Sequence, residues 1–410
     1  MNVFDEFKWR GMVSEATDGV NDALATQRVT AYIGFDPTAA SLHIGNLLTV
    51  MGLARLQKFG HTPIAIVGGG TGMIGDPSGK SQERNLLSAE QIDANVAGVR
   101  AQLERFLDFT TAPNAARIIN NADWLGTIDV LSFLRDVGKH FSVGYMLQKE
   151  SVSRRMESAD GISYTEFSYL VLQAFDFLQL FDRHRCTLQM GGSDQWGNIT
   201  AGIELIRKVR GKKAHGLVWP LMKTAAGTKF GKTEAGTIWL DPGLTSQYRF
   251  YQFWLNTDDR DVVNYLKVFT WLDRAAIDAL ERTVAEAPAG REAQRTLARE
   301  VTTMVHGTEG LALAERETAA QFGGGDDADV PAIELAASAF EGGMLYTDFM
   351  VAITLAPSKS EAARTIKQGG FYLNDVRVTE ERGKVTLADV IDGRIKARKG
   401  QRERRIVRIS

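Results

Sequence analysis

The chain has 410 residues, of which 44% are hydrophobic and 24% charged, and its formal net charge is -2. This length exceeds that of most single hydrophobic cores, so two or more domains are expected, and the composition is that of an ordinary globular protein. No apolar run is long enough to cross a bilayer, the first residues do not have the pattern of a leader peptide, and one cysteine excludes an internal disulfide. We therefore predict a cytoplasmic protein with no role in a membrane.

Short β-branched runs alternate with helical patterns through the first half of the chain. Such alternation is typical of βαβ units, in which helices join parallel strands. We therefore predict an α/β fold with a parallel sheet, whose strands lie at Arg28–Phe35, Pro63–Val67, Arg117–Ile119, Thr187–Met190 and Leu217–Leu221.

The sequence changes character after Ser246, where amphipathic segments replace the strand-like runs. Residues 258–269 and 291–305 repeat apolar positions at helical spacing, which predicts an α-helical domain. The run Gly323–Asp329 that follows consists almost entirely of glycine and aspartate and has too little apolar surface to pack. We interpret it as a flexible linker.

The last part of the chain has the pattern of a small α+β module. Residues 346–355 and 360–368 have helical spacing, and Asn374-Asp375 predicts a hairpin turn between two short strands. Residues 359–410 contain 14 Lys and Arg against 7 Asp and Glu, a net +7 that leaves -9 for the rest of the chain. A basic module on an acidic body favours a polyanionic partner such as nucleic acid, although a merely solvated basic terminus is the alternative.

Three glycine-rich segments imitate nucleotide-binding motifs. Val67–Gly75 matches the dinucleotide fingerprint, but Pro77 and its neighbours continue as a loop where that fingerprint requires a helix to begin. Gly75–Ser81 and Gly227–Thr233 resemble a P-loop, but each has one residue too few between its glycines. These departures disfavour a nicotinamide or flavin enzyme and a P-loop ATPase.

A possible phosphate site lies where the first predicted strand meets the first long helix. The strand ends in Tyr32–Thr38, and His43 and Asn46 lie at the start of the following helical pattern. Backbone amides and the helix dipole favour an anion at such a position. The alternative is that His43 only caps the helix or packs against it.

A second segment, Lys229-Phe230-Gly231-Lys232-Thr233, places two lysines on a glycine-containing loop. Together with the segment around His43 it resembles the paired signatures of class I aminoacyl-tRNA synthetases, whose consensus forms are His-Ile-Gly-His and Lys-Met-Ser-Lys-Ser. Asn46 stands where the first signature often has its second histidine. Phe230, Gly231 and Thr233 replace the Met and the two Ser residues of the other signature.

Within that class the chain is similar to bacterial-type tyrosyl-tRNA synthetases over nearly its full length. The most specific segment, residues 189–198, reads Gln-Met-Gly-Gly-Ser-Asp-Gln-Trp-Gly-Asn. The others are Tyr32–Thr38, Gly75–Lys80 with Arg84, and Tyr164–Asp176.

The last of these segments also predicts a polar helix face. Tyr169, Gln173 and Asp176 are spaced i, i+4 and i+7, so one face of a helix presents all three toward one place. The positions between them are apolar, which favours a pocket over a solvent-exposed stripe.

The resemblance implies a role for each of these polar residues in binding tyrosine. Tyr32 and Asp176 would bind the phenol, Tyr169, Gln173 and Asp76 the ammonium group, and Gln195 would lie near the carboxylate.

The resemblance also implies an ATP site on the first strand-helix unit and on the segment 192–194. No protein-held metal is expected, since Mg²⁺ would arrive with ATP. The residues implied in ATP binding are Gly34, Asp36, His43, Gly45, Asn46, Gly192, Asp194 and Lys232. Those implied in catalysis, at the phosphates, are His43, Asn46, Thr49, Lys80, Arg84, Lys229, Lys232 and Thr233.

The resemblance further implies tRNA(Tyr) as a partner and a homodimer. The dimer contact would lie in the apolar segment 124–164, around Phe133, Phe141 and Met146, although this stretch is as easily plain core. The implied domains are a Rossmann-like catalytic domain at 1–222, the signature loop and an α-helical tRNA-binding domain at 223–320, a linker at 321–335, and an RNA-binding domain like that of ribosomal protein S-four at 336–410.

Two other functions fit parts of the pattern. A tryptophanyl-tRNA synthetase would share the fold and both signatures, but an indole has no hydroxyl to bond Tyr32 and Asp176. A non-catalytic RNA-binding protein with a synthetase-like body is the other alternative, and the presence of Lys229, Lys232 and Asp194 argues against it.

Overall fold

The structure, a computed structural model, describes residues 2–78, 87–110, 113–157, 161–228, 230–233, 236–321, 332–380, 382–391, 393–400 and 403–409. The chain forms two compact units. Unit 1 comprises Met1–Thr233, Thr237–Thr245 and Thr257–Leu297, and unit 2 comprises Glu234–Gly236, Ser246–Asn256 and Ala298–Ser410. Among the described residues, no helix is long and apolar enough to cross a membrane.

The strands belong to a sheet in unit 1, a sheet in unit 2 and two short pairs. In chain order they are β1 (Glu15–Ala16), β2 (Thr30–Phe35), β3 (Thr62–Val67), β4 (Arg117–Asn120), β5 (Cys186–Gly192), β6 (His215–Trp219), β7 (Lys232–Thr233), β8 (Gly236–Thr237), β9 (Ala332–Leu335), β10 (Met344–Leu345), β11 (Phe371–Leu373), β12 (Val376–Arg377), β13 (Lys384–Val385), β14 (Arg394–Lys399) and β15 (Glu403–Ile409).

Helices precede, join and follow these strands. In chain order they are α1 (Val3–Trp9), α2 (Val20–Thr26), α3 (Ile44–Lys58), α4 (Ala89–Leu103), α5 (Ala122–Leu125), α6 (Val130–Ser132), α7 (Val143–Leu147), α8 (Glu150–Met156), α9 (Tyr164–His184), α10 (Trp196–Arg210), α11 (Gln247–Leu255), α12 (Asp259–Phe269), α13 (Arg274–Glu286), α14 (Glu292–Gln321), α15 (Tyr346–Ala352) and α16 (Lys359–Lys367).

The sheet of unit 1 has the strand order β1-β6-β5-β2-β3-β4. Its strands are parallel except β1, which pairs antiparallel with β6 at one edge. The chain builds β3 and β4 on one side of β2 and β5 and β6 on the other, so the strand order reverses between β2 and β5. In open α/β sheets this reversal, at the carboxyl ends of the strands, is where ligands bind.

Burial explains why the central strands form. Every residue of β3 is buried, as expected for a parallel strand that helices cover on both faces. Tyr32 of β2 packs edge-on against Phe177 of α9, with ring centroids 5.2 Å apart. Cys186, the first residue of β5, is also fully buried in this core.

Unit 2 contains a small α+β module in its C-terminal part. Its sheet has the order β12-β11-β14-β15-β9, and α15 and α16 pack against each other beside it. Asn374 and Asp375, between β11 and β12, both have a positive φ, of 48° and 66°. Two successive left-handed residues are the geometry of a tight hairpin turn, so the predicted turn is confirmed.

The α/β fold class predicted from the sequence is confirmed, with three differences in detail. The antiparallel edge strand β1 is too short to leave a strand pattern in the sequence. Strand β9 (Ala332–Leu335) pairs in parallel with β15, so the last residues assigned to the linker belong instead to the sheet of the module. Helix α14 runs beyond the predicted residue 305 to Gln321 and is interrupted at Gly307, whose φ of 73° is not helical. The predicted linker residues Gly323–Asp329 lie outside the described residues.

Candidate active site

The polar residues of unit 1 converge at the carboxyl ends of β2 and β5, where the strand order reverses. Asp36 directly follows β2, and Gly192 ends β5. Helix α9 lies beside this edge and contributes Tyr169, Gln173 and Asp176 from one face, as its spacing predicts. The site therefore occupies the position that the sheet topology favours for a ligand.

Asp176 is the buried carboxylate of the site, and two neighbouring side chains hold it. Nδ2 of Asn121 donates to its Oδ2 at 2.9 Å, and Nε1 of Trp124 donates to its Oδ1 at 2.7 Å. Burial raises the pKa of Asp176 from 3.8 to about 7, although both of these hydrogen bonds act to lower it. The carboxylate is thus oriented on one side and costly to keep charged.

Two buried polar atoms of the central strands also bear on the site, and the Tyr32 hydroxyl is close enough to interact electrostatically with Asp176. The Tyr32 hydroxyl and Oε1 of Gln189 are buried, and neither has a hydrogen-bond partner among the residues that the structure describes. Tyr32 and Gln189 are register partners on β2 and β5, so their side chains lie on the same face of the sheet. Because a buried polar group without a partner costs free energy, these atoms indicate a ligand with its own hydrogen-bonding groups.

A chain of hydrogen bonds joins this pocket to the end of β2. Tyr169 Oη donates to Oδ2 of Asp36 at 3.0 Å, and Thr71 Oγ1 donates to Oδ1 at 3.1 Å. Nδ2 of Asn121 also donates to Thr71 Oγ1 at 2.9 Å, so the chain continues to Asp176. Burial, followed by the charge of Asp36, raises the pKa of Tyr169 and keeps its hydroxyl protonated.

An amide-rich cluster forms the other end of the pocket. Nε2 of Gln195 donates to Oδ2 of Asp76 at 2.7 Å, and Nε2 of Gln173 donates to Oε1 of Gln195 at 3.2 Å. Asn198 Nδ2 lies 3.0 Å from Oε1 of Gln173, and the Ser78 N–H donates to Oδ1 of Asp76 at 2.8 Å. The cluster combines one carboxylate with several amide groups, which suits a charged and polar ligand end.

His43 caps α3, as one of the two interpretations of the sequence holds. Its Nδ1 accepts the Asn46 N–H at 3.2 Å, and Oδ1 of Asn46 accepts the His43 N–H at 3.1 Å. An Nδ1 that accepts a hydrogen bond requires the neutral ring to carry its proton on Nε2. Capping therefore orients the ring as a donor at a helix N-terminus and does not exclude a role at a phosphate.

The second signature lies directly against the first. A Cβ on Gly231 would come within 2.9 Å of Cγ1 of Ile44, and Gly231 has a φ of 85°. The Ile238 N–H donates to Gly231 O at 3.3 Å, and the Ile44 N–H donates to Ile238 O at 3.0 Å. Glycine is needed here because both the close approach and the left-handed backbone exclude a side chain.

Helix α12 anchors the second signature. The ring of Phe230 is stacked on Phe269 with centroids 5.2 Å apart and meets Tyr265 edge-on at 4.9 Å. Earlier in the same loop, the Ala225 N–H donates to Oδ2 of Asp261 at 2.8 Å. Phe230, which replaces the consensus Met, is therefore the buried anchor of the loop.

The remaining predicted site residues lie around these groups or outside the described residues. Thr49 donates to Asn46 O at 2.5 Å, and a Cβ on Gly192 would come within 2.6 Å of Oδ1 of Asp194. Gly34 lies on β2, and a Cβ on Gly45 would contact the His43 ring at 2.9 Å. The backbone of Lys232 and Thr233 forms β7, and the predicted residues outside the described part are Lys80, Arg84 and Lys229.

Sequence reasoning missed several residues of this site. It took Trp124 as the first residue of a segment that is either a dimer contact or plain core, and it did not connect this residue to the pocket, where Trp124 is buried and bonded to Asp176. Asn121 and Thr71 gave no signal, since single polar residues after a strand are common. Asn198 and Gln189 lie in the segment with the strongest resemblance, which was the only available pointer to them.

The segment 124–164 divides into core and surface. Phe133 packs edge-on against Phe175 with centroids 5.9 Å apart, and Met146 is buried in the same core. Other apolar residues of the segment are exposed, and they are Val130, Leu131, Leu134, Val143, Leu147, Met156 and Tyr164.

The described residues include no group of three or more His, Cys, Asp and Glu side chains that could hold a metal ion. The carboxylates of the site are instead engaged by amide, hydroxyl and indole groups.

Comparison with known proteins gives consistent results. Residues 24–323 match the family model for class I tRNA synthetases (W and Y). A tyrosine--tRNA ligase from Roseiflexus castenholzii is 55% identical over 420 residues, covering 99% of each chain, and one from Geobacillus stearothermophilus is 51% identical over 100% of both chains. Among solved structures, a C-terminally truncated mitochondrial tyrosyl-tRNA synthetase from Aspergillus nidulans aligns with a TM-score of 0.70 and 30% identity, covering 76% of this chain and 92% of that one.

Proposed function

The chain belongs to the family of class I tRNA synthetases for tryptophan and tyrosine, and from this premise we propose that it activates L-tyrosine with ATP and transfers it to tRNA(Tyr). The relatives that match over the full length of the chain are tyrosine-tRNA ligases. The function predicted from the sequence is therefore confirmed, in preference to a tryptophanyl-tRNA synthetase or a non-catalytic RNA-binding protein.

The single observation that carries the specificity is the buried Tyr32 hydroxyl, which has no hydrogen-bond partner among the described residues, beside the oriented Asp176 carboxylate. A phenol offers one O–H donor and oxygen lone pairs, so it can donate to Asp176 and accept from Tyr32. Phenylalanine would leave the Tyr32 hydroxyl without a partner and would deprive Asp176 of the hydrogen bond from the ligand, leaving it only those from Asn121 and Trp124. A site built to bind a hydroxyl rejects an analogue that lacks it, a rule for which tyrosine against phenylalanine in this enzyme family is itself the standard example.

The amide-rich cluster supports the placement of the amino-acid end. The ammonium group would lie among Tyr169, Gln173 and Asp76, with the carboxylate near Gln195. The negative charge of Asp76 favours a cation at this end of the pocket. The phenol end of tyrosine would thus bind a hydroxyl and a carboxylate, and its amino-acid end would bind amide groups and a second carboxylate.

ATP is the second substrate, and its phosphates would lie at the N-terminus of α3. Amides and the helix dipole favour a phosphate there, and the Nε2–H of His43 adds a donor. The space for the nucleotide would be bordered by Gly34, Asp36, Gly45 and Gly192. Its ribose would lie at Asp194. Mg²⁺ would accompany ATP as part of the substrate.

The reaction requires no acid or base from the protein. The carboxylate of tyrosine attacks the α-phosphorus of ATP, the bond to the bridging oxygen breaks, and pyrophosphate departs with that bond's electrons. Positioning and stabilisation of the departing charge account for such catalysis, with Lys80, Arg84, Lys229, Lys232 and Thr233 as the proposed contacts of the pyrophosphate. In the second step, a ribose hydroxyl at the tRNA end attacks the acyl carbon, the bond from that carbon to the phosphate oxygen breaks, and AMP leaves with the electrons of that bond while a phosphate oxygen takes the hydroxyl proton.

The C-terminal module is proposed to bind tRNA. Its net charge of +7 over residues 359–410 favours the phosphate backbone, and Arg364 and Lys367 lie exposed on one face of α16. We place the protein in the cytoplasm, where its tRNA substrate is made and used.

A homodimer is proposed on the exposed apolar residues of the segment 124–164. Val130, Leu131 and Val143 are 67%, 74% and 62% exposed, which is unusual for neighbouring large apolar side chains on a monomer surface.

Pyrophosphate exchange into ATP in the absence of tRNA tests the proposed function. Exchange should depend on tyrosine and be much slower with phenylalanine or tryptophan at equal concentration. Exchange driven by tryptophan would assign the chain to the other specificity of the family. Absence of exchange with every amino acid would contradict activation itself.

A further inference from the structure

Helix α4 touches the loop that leads into the first signature, and none of the roles assigned above uses these contacts. Asn95 Nδ2 donates to Pro37 O at 2.8 Å, and a Cβ on Gly98 would collide with Ala40 O. Gln102 follows at the next position of the same face, since 95, 98 and 102 are spaced i, i+3 and i+7. One face of α4 therefore fixes the loop 37–42 along its length.

Gln102 makes two side-chain hydrogen bonds to the loop. Its Oε1 accepts the Leu42 N–H at 2.8 Å, and its Nε2 donates to Ser41 Oγ at 2.9 Å. The Leu42 N–H can only donate, so the amide orientation of Gln102 is determined by its partners. Gln102, Ser41 and Leu42 are 8%, 5% and 4% exposed, so water cannot replace these bonds at little cost.

Ser41 extends the contact to the segment that follows the second signature. Its Oγ donates to Leu42 O at 2.7 Å and accepts the Asp241 N–H at 3.2 Å. The Leu240 N–H donates to Leu42 O at 2.8 Å. Two residues before Leu240, Ile238 bonds both signatures through its backbone. A single buried hydroxyl thus connects α4, the first signature and the return of the second.

We propose that Gln102 is a positioning residue for adenylate formation, which holds Ser41 and Leu42 so that the two signatures keep their mutual distance at the phosphates of ATP. The proposal rests on the proposed function. Gln102 touches neither substrate, and it acts through the Ser41 hydroxyl and the Leu42 amide. Its loss changes the geometry at ATP and leaves the tyrosine pocket on α9 as it is.

Gln57 supplies a matched control in the same unit. Its Nε2 donates to Asp108 O at 2.6 Å and its Oε1 accepts the Asp108 N–H at 2.9 Å, so its side-chain amide, which is half-buried, also holds a loop. It lies near the opposite end of α3 from His43, roughly 20 Å away at 1.5 Å per helical residue. Gln57→Leu therefore removes the same chemistry far from the phosphates.

The test compares Gln102→Leu with Gln57→Leu in the full chain. Pyrophosphate exchange gives kcat and the KM for ATP and for tyrosine, calorimetry gives the Kd for tyrosine, and thermal unfolding gives the stability of each variant. For Gln102→Leu we expect kcat/KM for ATP to fall about tenfold to a hundredfold, the cost of a small misplacement of reacting groups, with the tyrosine Kd within about twofold. Gln57→Leu should lower the unfolding temperature and leave kcat and the KM values for ATP and tyrosine unchanged.

A double-mutant cycle with Ser41→Ala locates the effect. The loss from Ser41→Ala should be smaller in the Gln102→Leu background than in the unaltered chain, because the two residues act through one contact. Should Gln102→Leu fail to fold, Gln102→Glu carries the same comparison, since it keeps the acceptor for Leu42 and removes the donor to Ser41.

Unchanged ATP kinetics in Gln102→Leu, or equal kinetic losses in both leucine variants, would overturn the positioning role. Failure of the unaltered chain to exchange pyrophosphate is a separate result, which overturns the proposed function.

Discussion

The indole N–H of Trp124 donates to Oδ1 of Asp176 at 2.7 Å, inside the core of unit 1. A residue from the helix after β4 thereby orients the carboxylate that α9 supplies. We expect Trp124→Phe to raise the pKa of Asp176 further and to weaken tyrosine binding by about 1 to 3 kcal/mol, since a buried charge acceptor loses a donor. Titration calorimetry measures this change. The control is Trp271→Phe, which changes a half-exposed indole of the same unit. If both variants weakened tyrosine binding equally, the role of Trp124 in the pocket would be refuted.

Stability should depend on pH through Asp176. Burial raises its pKa from 3.8 to about 7, so between these values the folded chain keeps a proton that the unfolded chain has released. Stability from this group is therefore present at low pH and is lost as the pH rises through 7, by at most about 4 kcal/mol. Asp176→Asn cannot ionise. As the pH rises from 4.5 to 8, the unfolding temperature of the unaltered chain should fall relative to that of Asp176→Asn. A difference between the two unfolding temperatures that does not change with pH would contradict the raised pKa.

Tyr32→Phe should affect the ligand-bound and ligand-free protein differently. In the free protein the hydroxyl has no partner among the described residues, so its removal should leave thermal stability unchanged or slightly higher. Preference for tyrosine over phenylalanine, as the ratio of the two kcat/KM values in pyrophosphate exchange, should fall about tenfold to a hundredfold. Tyr346→Phe, in the C-terminal module, should change neither quantity. An unaltered ratio in Tyr32→Phe would refute the role of the hydroxyl.

Leu131→Glu should dissociate the proposed dimer. Leu131 is 74% exposed on the apolar surface of the segment 124–164, and a buried unpaired carboxylate there would oppose association. Light scattering of the full chain should report half the mass of the unaltered protein. Val376→Glu changes an apolar residue of similar exposure, 69%, in the C-terminal module, and it should leave the mass unaltered.

Lys367→Ala should weaken tRNA binding without affecting tyrosine activation. The loss of one phosphate contact makes the negative slope of log affinity against log salt concentration shallower by about 1. Lys8→Ala removes another exposed lysine from the last turn of a helix, and it should leave this slope unchanged. Equal slopes for Lys367→Ala and the unaltered chain would exclude this lysine from the tRNA contact.

The sequence predicted the α/β fold, the helix face of Tyr169, Gln173 and Asp176, and the hairpin turn at Asn374-Asp375. Each of these has a local pattern, since periodicity and turn residues act over a few positions. Trp124 could not be placed in this way, because its partner Asp176 is 52 residues away and only packing joins them. Strand β9 was missed for a similar reason, because four residues next to a linker form a strand only where β15 offers an edge.

Local pattern also could not separate the two interpretations of His43. The structure shows that the cap uses Nδ1 and leaves the ring proton on Nε2, so the capping role is observed and the role at a phosphate stays a prediction. Phe133 and Leu131 illustrate the same limit at the proposed dimer surface. They are two positions apart and equally apolar, yet only the fold decides which of them faces the core.

Cys186, the chain's one cysteine, begins β5 in the fully buried core of unit 1, where burial raises the pKa of its thiol. A thiol reagent can reach it only when the central sheet opens. The rate at which the thiol is modified therefore reports how often the strand that ends at Gly192 opens. Slower labelling in the presence of tyrosine would report directly how strongly the substrate holds that sheet closed, with no probe added to the protein.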